Sequence, residues 1–353
     1  MFRFIFALTV LLVVPGFSGN VESAEITYSG SVEKDESTGW NIIQLNAVNP
    51  DNPKENISIK ITPEGGCNMF SINVGGNELV SSPANIGRFS RSLSGIPVLF
   101  PTPNRVRNQT YTFMGEEYQM TFPGDTQRGR LHGLVWDDSA WKFSEPEKTA
   151  DGIMFKSWYV FDESNPRFSG YPFLSTLTLT FTLSAGSVRV DYEVENQDSK
   201  PLGFGFGLHP YWSLIDTKDD MRIQADIPNR MLGENKLPSG ELAPVEGTTY
   251  SLLEPTQLTT LNLDDVYFGA TPESNIRIMY DKIGLNIIQK ASAEFTHVVV
   301  YTPRNAVCVE NQTCSTDTHN LYSKGFEKES NLQIVEPGKK TDGYIEYLLE
   351  WRE

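Results

Sequence analysis

The sequence predicts an all-β fold, a large antiparallel β-sandwich, and three observations carry that prediction. Leu177–Leu183 and Val188–Val194 alternate strictly between apolar and polar residues around Ala185-Gly186, the pattern of a long hairpin with one buried face. Aromatic and β-branched residues recur along the chain, and Gly or Pro punctuates most intervals of about ten residues. No window keeps a helical period over three turns. Half-buried sheets of this kind satisfy their apolar faces by packing on one another.

The chain begins with Met1-Phe2-Arg3, an apolar run from Phe4 to Val14, and Pro15-Gly16-Phe17-Ser18-Gly19. One positive charge, a short apolar core and small residues read as a secretory signal over residues 1–23, with the cleaved bond somewhere between Ser18 and Ala24. The run is short for a bilayer-spanning helix, which leaves an uncleaved anchor as the lesser alternative. No later stretch is long and apolar enough to cross a membrane. Residues 24–353 show no linker, repeat or break in composition and read as a single domain.

Within it, Val21–Gly39 is polar and reads as an edge strand or an N-terminal arm. Ile57–Ile61, Val298–Tyr301, Ala306–Val309 and Tyr344–Trp351 read as further strands. Thr217–Pro255, rich in Asp, Gly, Pro and Asn, reads as long loops that rim a cleft. Ser315–Ser330 mixes charge with Gly and reads as a surface loop.

A formal net charge of −16 over 353 residues argues against nucleic acid or an anionic membrane surface as a partner, and leaves small neutral solutes. The 3 cysteines are Cys67, Cys308 and Cys314. In an oxidising compartment Cys308 and Cys314 form a candidate disulfide across a tight loop. A zinc site would want more soft ligands. The sequons at Asn56, Asn108 and Asn311 read as chance matches.

Five segments carry chemistry. Ser94–Pro101 is an apolar stretch ending at prolines that delivers Asn104-Arg105 into a loop. Arg105 offers a rigid fork of donors for adjacent hydroxyls, or else a surface ion pair. His132, between Leu131 and Gly133, is either a site imidazole or a satisfied core histidine. Trp136 and Trp141 supply either a flat platform for sugar C–H faces or core. His209 ends the segment Phe204–Leu208, whose glycines permit close approach of backbone or ligand, and Pro210 stops the strand there. Glu310 shares a strand face with Cys308 while Val307 and Val309 take the other. Burial there would raise the carboxyl pKa and make it a better base; the bland reading is a rim carboxylate in an ion pair. Leu263-Asp264-Asp265 places two acids in a loop or at a helix N-cap.

Taken in order from Ser94 to Thr313, these motifs resemble the aldose 1-epimerase (galactose mutarotase) family: Asn104-Arg105, Leu131-His132-Gly133, His209-Pro210-Tyr211, Leu263-Asp264 and Cys308-Val309-Glu310-Asn311-Gln312. The resemblance implies the galactose mutarotase-like supersandwich and interconversion of the anomers of a free hexose, with no metal or organic cofactor; the leader-like N-terminus adds export. It assigns His209 as general acid at the ring oxygen and Glu310 as base at the anomeric hydroxyl. Asn104, Arg105, His132 and Asp264 would bind the sugar. Two departures stand out. Asn311 replaces the more usual Pro or Thr, and the Gln that often precedes the strand ending near Tyr301 is missing or replaced by His297, with Val299 nearby.

Three rivals remain. A hexose-6-phosphate 1-epimerase could draw on Arg88, Arg91, Arg105, Arg107, Arg128 and Arg130, although export and the Asn104-Arg105 pair favour a free sugar. A non-catalytic carbohydrate-binding protein could use the same sandwich. A polysaccharide-processing enzyme would need a long open groove. Oligomeric state is not legible.

Overall fold

The computed structural model describes residues 25–89, 94–125 and 130–352. The expected signal segment lies outside them, as do Arg91 and Arg128. Among the described residues the architecture is antiparallel β, with two short helices. The alternation read from the sequence becomes the hairpin Ser175–Ser184 and Ser187–Asn196, in register with Leu177 opposite Val194 and Phe181 opposite Val190. Leu177, Leu179, Phe181, Leu183, Val188, Val190 and Val194 are all buried. Each such aliphatic or aromatic side chain stabilises the fold by about 1.5–3 kcal/mol through removal from water.

This hairpin lies in a ten-stranded sheet that also holds Gly152–Phe161, Lys340–Trp351, Leu285–Ala291, Ile276–Tyr280 and Met221–Ala225. A five-stranded sheet begins with Thr27–Lys34 at its edge, the edge strand expected in the polar N-terminal stretch. An eight-stranded sheet runs Leu237–Pro244, Asn229–Glu234, Asp264–Phe268, His297–Tyr301, Ala306–Gln312, Gly207–Leu208 and Val98–Leu99, with Trp212–Ser213 also paired to Ala306–Gln312. One core cluster draws on all three sheets, with Ile43 and Leu45, Leu179 and Ile345, and Val298, Val300, Val307 and Val309 among its members. Alternation then obliges Val299, Tyr301, Cys308 and Glu310 to face away from that core. The candidate site is built on this second face.

Three regions differ from expectation. Thr217–Pro255 is not long loop: Met221–Ala225 joins the ten-stranded sheet, and Asn229–Glu234 pairs with Leu237–Pro244 as a hairpin. Its two-residue turn, Asn235-Lys236, has φ of 53° and 63°, the left-handed backbone that tight hairpins require. Ser315–Ser330 is not a surface loop either. It holds the helices Thr318–Ser323 and Glu327–Ser330, and Ser315 through His319 are buried. Two of the buried side chains there find partners far away in sequence: Asp317 Oδ1 accepts from the Arg107 amide at 2.9 Å, and His319 Nε2 meets the Gly203 carbonyl at 2.8 Å.

The third difference is the cysteines, all of which are free and buried. Ala306–Gln312 is one continuous strand, so the chain has moved about 13 Å from Cys308 before it reaches Cys314. A disulfide needs Cα atoms within about 7 Å.

Candidate active site

Three adjacent strands set the floor of the site. Asp264 pairs with Tyr301, Val299 with Glu310, and Tyr301 with Cys308, so Asp264, Val299, Tyr301 and Glu310 share one face. On the other flank of the Glu310 strand, Gly207 pairs with Gln312. A Cβ on Gly207 would meet Gln312 Cγ at 2.9 Å, so the close approach expected of this glycine is to the neighbouring strand. His209 follows at once, its amide donating to the Pro97 carbonyl at 3.1 Å. Phe204–Leu208 is thus not one strand but two short ones, Leu202–Phe204 and Gly207–Leu208.

The opposite wall comes from two loops tied to each other. Arg105 bridges Leu131, and the His132 amide donates to the Asn104 carbonyl at 2.7 Å. The Asn104 amide in turn donates to His132 Nδ1 at 3.2 Å. A ring nitrogen that accepts carries no proton, so this contact assigns the His132 proton to Nε2. His132 and Gly133 have φ of 64° and 77°. A Cβ on Gly133 would fall 2.2 Å from the Phe100 carbonyl oxygen, which reserves that position for glycine. Arg130 braces the same turn, donating to the Gly133 carbonyl at 3.1 Å while pairing with Asp125 at 2.8 Å and Asp137 at 3.2 Å.

All six residues singled out from the sequence, Asn104, Arg105, His132, His209, Asp264 and Glu310, line one cavity of about 220 Å³ together with Tyr211, Val299 and Tyr301. His209 Nε2 lies 3.1 Å from Glu310 Oε1. The other carboxyl oxygen, Oε2, accepts from the Gln312 amide at 2.9 Å. Tyr211 stacks on His209 with ring centres 4.5 Å apart and planes within 6°, and its hydroxyl is 3.4 Å from Nε2. His132 meets His209 edge-on at 5.0 Å. Arg105 Nη1 donates to Asn104 Oδ1 at 2.9 Å, and Asp264 pairs with Lys236 at 3.0 Å.

Electrostatics follow from burial. Glu310 is 1% exposed and His209 is 4% exposed. Burial pushes the His209 imidazolium down to about 3, partly offset by its own backbone. Burial also raises the Glu310 carboxyl well above its ordinary value; the Asp264 charge adds to this and the Gln312 hydrogen bond opposes it. His132 is held well below the ordinary imidazole range by burial first, and then by His209 and Arg105. Burial thus disfavours the charged form of each member of the His209–Glu310 pair, and the two can share one proton across their contact. Moving it along the 3.1 Å contact gives the carboxylate and imidazolium form without any exchange with solvent. A pair that can present either a base or an acid on each side suits proton transfer between two oxygens of one bound molecule.

Residues 51–348 match the family model for aldose 1-epimerase. The chain belongs to the aldose 1-epimerase family. Among its relatives, the galactose mutarotase of Sus scrofa is 28% identical over 165 residues, which cover 44% of this chain and 44% of the relative. The chain thus matches under half the length of that mutarotase. The uncharacterized protein YihR of Escherichia coli is 24% identical over 69% of this chain and 75% of the relative. The fold is shared with a galactose mutarotase-like protein from Clostridium acetobutylicum, with a TM-score of 0.79 and 16% identity over 93% of this chain and 99% of that one. It is likewise shared with galactose 1-epimerase from Lactobacillus acidophilus, with a TM-score of 0.72 and 16% identity over 93% of this chain and 100% of that one.

Several sequence readings need correction within this epimerase frame. Trp136 and Trp141 are core, donating to the Leu131 and Val135 carbonyls at 2.9 and 3.1 Å. The aromatic rings at the cavity are Tyr211 and Tyr301. His297 does not stand in for a sugar-binding amide. It shares the face of Glu310 but pairs with Gln312, one step beyond, where Nε2 meets the Glu329 carbonyl at 3.0 Å and the ring packs on Phe268. Val299 occupies the cavity wall instead. Asp264 lies in a strand, not in a loop or at a helix cap. Asn311 is 3% exposed within its strand, in keeping with a chance sequon. Of the arginines offered for a phosphate, Arg130 is buried against Asp125 and Asp137, Arg107 pairs with Asp317 at 3.4 Å, and Arg88 is exposed; among the described ones only Arg105 lines the cavity. Tyr211 and Gln312 were visible in the quoted motifs, but only the register shows them touching the reacting pair. Lys236 gave no signal, because its partner is distant in sequence.

Proposed function

We propose that this protein is an exported aldose 1-epimerase that interconverts the α and β anomers of a free hexose. The observation that carries the reading is the buried His209–Glu310 contact at 3.1 Å in a cavity of single-hexose size. The Glu310 carboxylate takes the proton from the anomeric hydroxyl while the His209 imidazolium gives its proton to the ring oxygen. The bond between C1 and the ring oxygen breaks, leaving an open-chain aldehyde. Rotation about C1–C2 presents the other carbonyl face, and the two residues return their protons in the opposite sense as the ring closes. Acid–base partners in place contribute about 10²- to 10⁴-fold each.

The remaining groups bind and orient. Arg105 and Asn104 face hydroxyls on one wall, Asp264 accepts from a hydroxyl on the floor, and His132 donates from Nε2. A free sugar is favoured over a phosphorylated one because Arg130 and Arg107 are already paired and Asp264 brings a negative charge to the cavity. Export rests on the leader-like residues 1–23. Polarimetry comparing glucose with glucose 6-phosphate tests the substrate class. Turnover confined to glucose is expected, and a preference for the phosphate ester would overturn the free-sugar assignment.

A further inference from the structure

The hairpin Asn229–Glu234 and Leu237–Pro244 joins the Asp264–Phe268 strand at its base, where Asn229 pairs with Phe268 and Arg230 with Tyr267. Beyond that base the hairpin shifts register between Met231 and Gly233 and arches over a cavity of about 390 Å³ bordered by Asp264–Val266. Its tip returns to the strand through Lys236. The ammonium lies 3.0 Å from Asp264 Oδ2 and donates to the Asp264 carbonyl at 3.1 Å. Asp264 lines the catalytic cavity, while Lys236 stands outside it. Resting on the epimerase reading above, we propose that Lys236 is a positioning residue of the sugar site, which holds the Asp264 carboxylate in the orientation that accepts a sugar hydroxyl.

The grip on Asp264 is the first argument. One ammonium bonded to both the side chain and the main chain of a single residue closes a small ring, and that ring fixes the carboxylate's rotamer. With Oδ2 and the main chain held, Oδ1 is the oxygen left for a hydroxyl. A carboxylate already set in place spares the bound state the entropy of ordering it. The pair is half-exposed, so it contributes little to folding. Its effect is on the direction of the carboxylate. The base of the same hairpin steadies the neighbouring acid: Arg230 pairs with Asp265 at 3.4 Å, and the Asp264 amide donates to Asp265 Oδ2 at 3.2 Å.

The turn supplies a second, independent argument. Asn235 and Lys236 have φ of 53° and 63°. A two-residue turn with both central residues left-handed favours glycine at the second of them. A lysine held there is strained, and such strain persists where the surroundings use the residue that bears it. The ammonium is what glycine would lack.

That choice gives the test. Lys236→Gly relieves the turn and deletes the cation, and Lys236→Met deletes the cation alone. Titration calorimetry with glucose and galactose compares both with wild type, and compares Asp264→Asn with and without Lys236→Met. Both single variants are expected to weaken sugar binding by about threefold or more, with the denaturant midpoint of Lys236→Gly at or above that of wild type. On the Asp264→Asn background, Lys236→Met should change nothing further. In polarimetry KM should rise while kcat stays within about twofold, because a hydroxyl contact serves ground and transition states alike. A smaller change in affinity, an equal loss on the Asp264→Asn background, or a Lys236→Gly protein that loses stability along with affinity would overturn the proposal. Wild-type turnover with unaltered affinity in the variants removes the Lys236 assignment alone. Absence of wild-type turnover on both sugars removes the epimerase reading, and the titrations still decide the role of Lys236; a wild type that binds neither sugar overturns both.

Discussion

Replacing Gln312 with Leu removes one hydrogen bond from the Glu310 carboxyl and little else. Gln312 is fully buried, and its amide donates to Glu310 Oε2 at 2.9 Å. Its own Oε1 finds no partner among the described residues, so leucine also deletes an unsatisfied acceptor, and folding stability should move by no more than about 1 kcal/mol. The effect on chemistry is larger. A hydrogen bond to a charged group is worth about 1.5–3 kcal/mol, and this one opposes the rise that burial imposes on Glu310. Without it the carboxylate form needed as base is harder to reach, and kcat should fall about 10- to 150-fold. KM should stay near its wild-type value, because Gln312 does not line the sugar cavity. Polarimetric kcat and KM, with a denaturant midpoint for each variant, measure both sides. A kcat within about twofold of wild type, or a loss matched by an equal loss of stability, would refute the reasoning.

Three further outcomes are expected. Burial holds His297 at about 3 and His319 at about 4, against about 6.5 in the unfolded chain. The fold keeps both neutral while the unfolded chain takes up protons, so their contribution is intact above about pH 6.5 and is lost as the pH falls toward 3–4. Each should cost about 2 kcal/mol at pH 5, and equal urea midpoints at pH 7 and pH 5 would contradict this. His209 adds in the same direction, whereas Glu310, raised on folding, works against it. All 3 thiols are free, and burial pushes Cys67 and Cys314 up to about 12 and Cys308 well up. Ellman's reagent should therefore find no reactive thiol in the native protein and 3 after unreduced denaturation; a bridge between Cys308 and Cys314 would leave one. Arg130→Ala removes the ion pairs of Arg130 with Asp125 and Asp137, the latter still held by Arg167, and should cost about 1.5–3 kcal/mol, with weaker sugar binding as the His132 turn loosens. Wild-type stability in that variant would remove Arg130 from its bracing role.

The fold was legible where one sheet face is buried. Leu177–Leu183 and Val188–Val194 alternate because every second side chain enters the core, and the same rule separates Val307 and Val309 from Glu310. The site was legible because its residues sit where strands stop or chains turn: His209 before Pro210, His132 before Gly133, Asn104-Arg105 after two prolines. What escaped had other physics. The strand Asn229–Glu234 is only partly buried on both faces apart from Met231, so alternation disappears and only its turn residues are visible. Ser315–His319 is polar yet buried, because its partners lie far away in sequence. His297 has the face of Glu310, but periodicity gives a face and not a distance along it, and one step placed it under the Glu329 carbonyl. Trp136 and Trp141 have the composition of a sugar platform and the hydrogen bonds of a core.

The central claim is that Glu310 and His209 together open and reclose a sugar ring. Polarimetry of freshly dissolved α-D-glucose and α-D-galactose, with wild type, Glu310→Gln and His209→Ala side by side, tests it most directly. The account predicts an accelerated decay of rotation for wild type on at least one sugar and a loss of about 10²- to 10⁴-fold in each variant. A Glu310→Gln protein that turns over at the wild-type rate, or a wild type that accelerates neither sugar, would contradict it.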